Sequence, residues 1–280
     1  MSDLSRRSVN PMCPVWSYYE IKLNTFGDCL FNDLLLWLLR PLSGSDIHEL
    51  MPWASWHGRM MVLAWGVTLP LGVLTARFLK VLPKQDWPRE LDNKLWWHAH
   101  RILQYSGVLF MLLGVGLVWG RAEGLTFNAR LHGWLGYVVI GMGIFQIFAG
   151  LARGTKGGPT ALELRGDHYD MTNWRKTFEW VHKSVGYLAI VSSVTVILLG
   201  LVAADAPRWM LLMLLLWWFC LIVSFVIFQK QKLCFDTYQA IWGPDSLHPG
   251  NHMKSMGWGM VRFDAASYAK RLENRKITKE

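Results

Sequence analysis

Five stretches of this sequence, near residues 52–79, 93–119, 129–151, 174–203 and 209–228, are each long and apolar enough to cross a lipid bilayer as a helix. A helix needs about 20 residues to span the roughly 30 Å hydrocarbon core. The chain is therefore expected to be an all-α integral membrane protein with five transmembrane helices. Composition agrees: 52% of the 280 residues are hydrophobic and 17 are Trp, above what soluble domains carry. Trp53, Trp56, Trp96, Trp97, Trp119 and Trp209 fall at the edges of the stretches, where aromatic side chains meet headgroups.

The formal net charge of +9 first suggests nucleic acid. The basic residues sit in loops and the C-terminal tail, so anionic lipid headgroups and membrane topology account for them and no nucleic acid is expected. Cys13, Cys29, Cys220 and Cys234 form neither CxxC nor CxxCH, which excludes covalent c-type haem attachment. No apolar stretch follows Arg6-Arg7 closely enough for a cleavable signal peptide.

Helix starts carry their own chemistry. Pro52 suits a first turn. Asp92 or Asn93, Asn128, and Thr172 or Asn173 are candidate N-caps for the second, third and fourth spans. Glycines between 152 and 173 mark a loop. Leu30–Leu42 is apolar but short and carries Asp33 and Arg40, so an interfacial amphipathic helix is expected there. This divides the chain into an extramembrane segment 1–51, a membrane domain 52–228 and a polar tail 229–280 with a short helix beginning at Asp264.

Loop charges orient the spans. Arg77, Lys80, Lys84, Arg89, Lys94, Arg153, Lys156, Arg165, Arg175, Lys176, Lys230 and Lys232 lie on one side, against Arg121, Arg130 and Arg208 on the other. The richer side, with the tail, is expected to face the cytoplasm. Arg6, Arg7, Lys22 and Arg40 weigh mildly against placing the N-terminal segment outside.

Nine histidines occur, and four share one description. His57, His100, His132 and His182 each lie one to two turns inside the start of a span. Ionisable groups at membrane depth are costly and usually functional. Alternating helix direction then pairs them. The first and third spans begin on the outer side, which puts His57 and His132 at one depth; the second and fourth put His100 and His182 at the other. Two facing His at one level supply both axial ligands of a haem iron, whereas a zinc site needs three or four ligands converging at one depth. The expectation is two non-covalent haem b groups in a four-helix bundle, with the fifth span outside it.

The stripes beyond these His carry small residues: Gly107 and Gly114, Gly136 and Gly143, Gly186, Ala189 and Ser193. They leave room for a flat macrocycle, or simply let helices pack closely. His98 points about 200° away from His100, and its stripe of Ile102, Tyr105 and Leu109 is bulkier, so His100 is preferred. His48, His168, His248 and His252 are expected to be solvated or interfacial. Arg101 and Lys183 follow the inner His, while Arg59 and Arg130 flank the outer ones; these four suit haem propionates, with snorkelling to headgroups as the alternative.

Motifs now point to a family. His57-Gly-Arg-Met-Met-Val-Leu-Ala-Trp-Gly through Pro70-Leu-Gly and Ala76-Arg-Phe-Leu-Lys80 resembles the first core helix of the cytochrome b561 family, closest to bacterial and DOMON-associated versions. Trp96-Trp97-x-x-His100-x-x-x-Gln104, Leu131-His132-Gly-x-x-Gly136 and Trp180-x-His182-Lys-Ser-x-Gly186-Tyr187 resemble the next three in order. The resemblance covers about residues 52–203. It implies a di-haem core, the same pairing of first with third and second with fourth His, and electron transfer across the membrane. It also implies that Lys80 and Lys84 stand where relatives hold ascorbate, although this loop is longer and its pattern is not the animal or plant one. No DOMON domain is expected within these residues.

The functional expectation is an electron-transfer oxidoreductase of quinol, ascorbate or ferric-chelate reductase type. Electrons would pass from a cytoplasmic-side small molecule or quinol donor to a periplasmic-side acceptor in a bacterial inner membrane. The alternative is a haem-bearing anchor or accessory subunit of a larger complex. Expected partners are membrane lipids, the donor, further membrane subunits or a periplasmic redox protein, and a second copy of the chain.

Overall fold

The computed structural model describes residues 23–45, 50–121, 126–158, 163–264, 268 and 270. Among these, every extended element is a helix: α1 (Leu23–Leu39), α2 (Pro52–Phe78), α3 (Leu95–Val118), α4 (Phe127–Leu151), α5 (Asp167–Asp170), α6 (Asn173–Ala203), α7 (Arg208–Lys230) and α8 (Thr237–Trp242). Strand-like pairing is confined to two isolated bridges, Pro41 with Pro207 and Phe235 with Val261. Helices α2, α3, α4, α6 and α7 are long and apolar enough to cross a membrane.

The helix starts follow hydrogen-bond reach. Thr172 caps α6, its hydroxyl accepting from Arg175 N at 3.2 Å. Asn93 Oδ1 accepts from Leu95 N at 3.0 Å just ahead of α3. The start of α4 differs from expectation: Thr126, not Asn128, is the cap, and its Oγ1 accepts from Ala129 N at 3.3 Å. A hydroxyl one position before the helix reaches the third amide, while Asn128 is already within the first turn.

Helix α2 is continuous, but Val62–Thr68 is π-helical. Pro70 has no N–H to give the Gly66 carbonyl four residues back, so the ladder loosens there. Trp217 of α7 donates its indole N–H to Gly66 O at 2.8 Å, and Thr68 Oγ1 donates to Leu63 O at 2.9 Å. The backbone group that proline leaves unpaired becomes the tie between the fifth span and the other four.

Helix α2 packs along α3, α4 along α6, and the π-helical segment touches α3 and α6. Their shared core holds Ala64, Trp65, Leu69, Met111, Val139, Ala189 and Ile197, with Leu214 from α7. Gly107 permits a close approach, since a Cβ there would stand 2.6 Å from Leu69. A Cβ at Gly114 would stand 3.2 Å from Met60 Cβ. For these two glycines close packing, not room for a ligand, is the reason for the small residue.

At one end of the bundle, residues 233–263 fold back over the helix ends; this end is called the tail side below. The tail is not simply a polar extension. Val81 and Trp87 from the α2–α3 loop join Phe235, Ala240, Phe263 and Tyr268 in a core of their own, and Phe78 packs with Leu233 and Cys234. Asp236 caps α8 by accepting from Tyr238 N at 3.0 Å and pairs with Arg262 at 3.2 Å. Gln239 and Phe263 exchange two hydrogen bonds, of 2.9 and 2.7 Å. The helix expected from Asp264 falls mostly outside the described residues.

On the opposite, far side, the end of α1 is tied to the α6–α7 connection. Leu42 N donates to Ala206 O at 3.0 Å, Arg208 N to Arg40 O at 3.1 Å, and Ser43 N to Asp205 Oδ1 at 2.8 Å. Helix α1 lies beside α7 and leaves Leu30, Phe31, Leu34 and Trp37 exposed.

Candidate cofactor sites

The helix pairs bring the four core histidines face to face in twos. His57 of α2 and His132 of α4 meet on the far side, with ring centroids 6.0 Å apart and planes at 86°. His100 of α3 and His182 of α6 meet on the tail side, at 6.5 Å and 76°. Two imidazoles that bind one metal from opposite sides, at about 2 Å each, hold their centres roughly 6 Å apart. Both pairs fit that geometry. Among the described residues no group of three or more His, Cys, Asp or Glu could hold a metal ion, and each pair offers two imidazoles.

The ring nitrogens support the same reading. Nδ1 of His57 lies 2.8 Å from Gly114 O, Nδ1 of His132 2.9 Å from Val196 O, and Nδ1 of His100 2.9 Å from Gly72 O. A carbonyl can only accept, so each Nδ1 carries the proton and donates, which leaves Nε2 with a lone pair for a metal. His182 differs: its Nδ1 is buried without a partner, and the ring stacks on Phe178, one turn earlier, at 5.1 Å. Gly200 serves His132, because a Cβ there would stand 2.8 Å from its Cε1. Gly200 lies about five helical turns after His182 and so on the same stripe, a signal present in the sequence that its reading passed over.

A cavity of about 430 Å³ lies beside His100 and His182, within the roughly 300–1,000 Å³ usual for cofactor and ligand sites. Its membrane part is lined by Leu69, Val73, Gly143, Gly186, Ala189 and Ile190. A Cβ at Gly186 would find nothing nearer than Gln146 at 3.7 Å. Gly186 does leave room here, unlike Gly107 and Gly114, whereas a Cβ at Gly143 would stand 3.1 Å from Trp65.

The tail-side end of the cavity is charged. Glu179 sits between Arg175, at 2.6 Å, and Lys183, at 2.5 Å, one turn to either side. Lys183 also donates to Met256 O at 2.7 Å. Lys156 pairs with Asp92 at 2.5 Å, and the Arg153 guanidinium lies 4.0 Å over the Trp97 ring. Lys80 is buried and donates to Phe235 O at 3.1 Å. Burial, and then the charge of Lys183, pull its pKa down to about 7.

Of the four basic residues singled out from sequence, Lys183 alone is among the residues lining this cavity. Arg59 is exposed and lies over Trp56, and Arg101 is exposed over Trp97 and Tyr105. Arg130 is exposed. His98 is exposed at the cavity edge, while the ring of His100 faces His182.

His168 and His248 correct the expectation of solvated or interfacial side chains: they are 3% and 5% exposed. The tail covers both. His168 lies against Tyr238 with ring centroids 4.7 Å apart, and His248 stacks on Trp242 at 5.1 Å. Their burial depends on a segment some 70 residues away in the case of His168, which no local pattern could announce. His252 is exposed as expected, and His48 lies outside the described residues. The Arg175–Glu179–Lys183 ladder was legible from its i, i+4 spacing and was not singled out.

No family model and no solved structure matches the chain. Curated relatives do. A cytochrome b561 and DOMON domain-containing protein of Arabidopsis thaliana is 30% identical over 152 residues, 54% of this chain and 34% of that protein. A second such protein of Arabidopsis thaliana is 29% identical over 146 residues, 52% of this chain and 27% of that one. Ferric-chelate reductase 1 of Bos taurus is 27% identical over 146 residues, 52% of this chain and 22% of the reductase. The chain thus spans about a third or less of the length of these relatives. With the helices and histidine pairs in view, the matched half of this chain is similar to part of these cytochrome b561 and ferric-chelate reductase proteins.

Proposed function

We propose that this chain is an electron-transfer oxidoreductase that passes electrons across a membrane through two b-type haems, one held by His57 and His132, the other by His100 and His182. The observation that carries this reading is the pair of opposed imidazoles at each end of one bundle, 6.0 and 6.5 Å between centroids. Haem iron held by these histidines would supply a reversible one-electron couple, suited to outer-sphere electron transfer. The protein's own residues orient and insulate. Backbone carbonyls hold His57, His100 and His132 with Nε2 turned to the metal, and Trp65, Leu69, Met111 and Ala189 keep water from the space between the two levels.

Electrons enter in this reading on the tail side, where the cavity reaches polar groups, from a small reductant or a quinol. They leave from the His57–His132 side. The excess of Lys and Arg in the tail-side loops supports placing that side in the cytoplasm. The name of one of these relatives, ferric-chelate reductase 1, makes a ferric chelate one acceptor to test.

The test is haem stoichiometry with the dithionite-reduced spectrum. Wild type should carry two haems per chain. His57→Ala and His100→Ala should each carry one, with distinguishable residual α-bands. Full haem content in both variants, or none in the wild type, overturns the assignment.

A further inference from the structure

His168 lies outside every motif discussed above, yet the fold treats it as part of the tail-side cavity. It lines that cavity together with Lys80, Arg153, Lys156, Arg175 and Glu179. It is 3% exposed, and its Nε2 is buried with no hydrogen-bond partner. A buried polar atom left unpaired costs about 1–3 kcal/mol, and nothing in the packing returns that cost. The ring is nevertheless held firmly. The backbone N–H of His168 donates to Thr155 O at 2.9 Å, the Tyr238 ring lies tilted against the imidazole at 4.7 Å, and Trp242 stands at 6.3 Å.

We propose that His168 Nε2 accepts the hydroxyl proton of a conjugated diol, an enediol or a hydroquinone, bound in the tail-side end of the cavity as that donor gives up an electron. The inference rests on the proposed electron entry at the His100–His182 level. The step balances. The donor's O–H bond breaks, its proton goes to Nε2, and one electron goes to the ferric iron held by His100 and His182, which becomes ferrous. The donor leaves as a radical, neutral where a neutral hydroquinone entered and anionic where an enediol monoanion entered, and two such radicals disproportionate to one oxidised and one reduced molecule.

The surroundings suit that role. A conjugated diol is a poor reductant until its proton has somewhere to go, and a positioned base supplies this. The charged and titratable groups around His168 are Arg175 and Glu179 of α6, Arg153 and Lys156 of the α4–α5 loop, and Tyr238 of α8. Burial first, and Arg175 next, keep the pKa of His168 well below its usual value, so the ring is a neutral base at neutral pH. The same cations favour negative charge developing on a donor oxygen, and Trp97 and Phe178 give the site apolar walls.

The test uses the haem-loaded protein and two probes, ascorbate and duroquinol. Under anaerobic stopped flow, His168→Gln should slow reduction by at least one of them about a hundredfold, with reduction by dithionite and the absorption spectrum unchanged. Which probe is affected identifies the source of the diol. A second readout does not depend on turnover: diethyl pyrocarbonate should acylate His168, detected by mass spectrometry. The same diol should protect His168 in protein already reduced with dithionite. Unchanged rates with both probes, absence of protection, or a His168 that stays unmodified without ligand overturns the proposal. Wild type lacking a b-type spectrum would instead defeat the electron-transfer reading on which it rests.

Discussion

The two histidine pairs look alike in sequence and differ in how they are held. On the far side both rings are anchored through Nδ1 to backbone carbonyls, Gly114 O and Val196 O. On the tail side only His100 is, through Gly72 O; His182 has no partner at Nδ1 and is steadied by Phe178. The tail-side pair also borders the 430 Å³ cavity with its charged end, under a folded tail. Anchoring of both rings rigidifies a ligand set, so the far-side pair is built to hold. The tail-side pair is built to be reached.

The sharpest way to break that contrast is to remove one ligand at a time. His132→Ala should abolish the far-side haem and His182→Ala the tail-side one, each read as loss of its α-band. In wild type under mild denaturant the tail-side haem should be lost first, and simultaneous loss of both would erase the proposed difference in anchoring.

Next in size is the tail. Asp236→Ala removes the cap of α8 and leaves Arg262, which also bonds Met253 O, without its carboxylate. Breaking a buried pair of this kind costs about 3–5 kcal/mol. Thermal unfolding in detergent should drop accordingly, with the tail-side spectrum changing while the far-side one does not.

Lys80 links the tail side to pH. Its pKa falls from 10.5 in the unfolded chain to about 7 in the fold. Between these values the unfolded chain binds a proton that the folded chain does not, so stability rises as pH increases through that window and the gain is absent below it. The slope is at most about 1.4 kcal/mol per pH unit. Lys80→Met should flatten a plot of melting temperature against pH from 7 to 10, and an unchanged slope would show that the amine is not buried in solution.

The smallest contrast separates two kinds of glycine. Gly107→Val should cost about 1–3 kcal/mol by overpacking against Leu69, visible as a lower unfolding midpoint with both haems retained. Gly186→Ala meets nothing nearer than 3.7 Å and should leave the midpoint nearly unchanged. Equal effects would mean that the stripes of small residues serve one purpose, not two.

Much of this was legible along the chain, and the reason is local. Each of the five spans announces itself by length and apolarity, and the cap of α6 was narrowed to Thr172 or Asn173, of which Thr172 is the cap, because capping reaches only three residues. The start of α4 was missed by two residues because Asn128 and Thr126 are both good caps and only the backbone geometry chooses between them. Gly107 and Gly186 read alike in sequence, since a stripe of small residues does not say whether a side chain or an open space lies opposite. Glu179 was overlooked although its spacing from Arg175 and Lys183 was plain.

By itself, then, the sequence determined the number and direction of the spans and hence which histidines share a depth, because helix length and polarity follow from neighbouring residues. Only the tertiary structure decided how each ring is anchored, where the cavity opens, and that His168 lies buried beside it. Those outcomes depend on contacts between segments distant in the chain: a carbonyl of α3 against a ring of α2, a tail residue against a loop. Residue type and spacing along one segment carry no record of what another will bring to meet it.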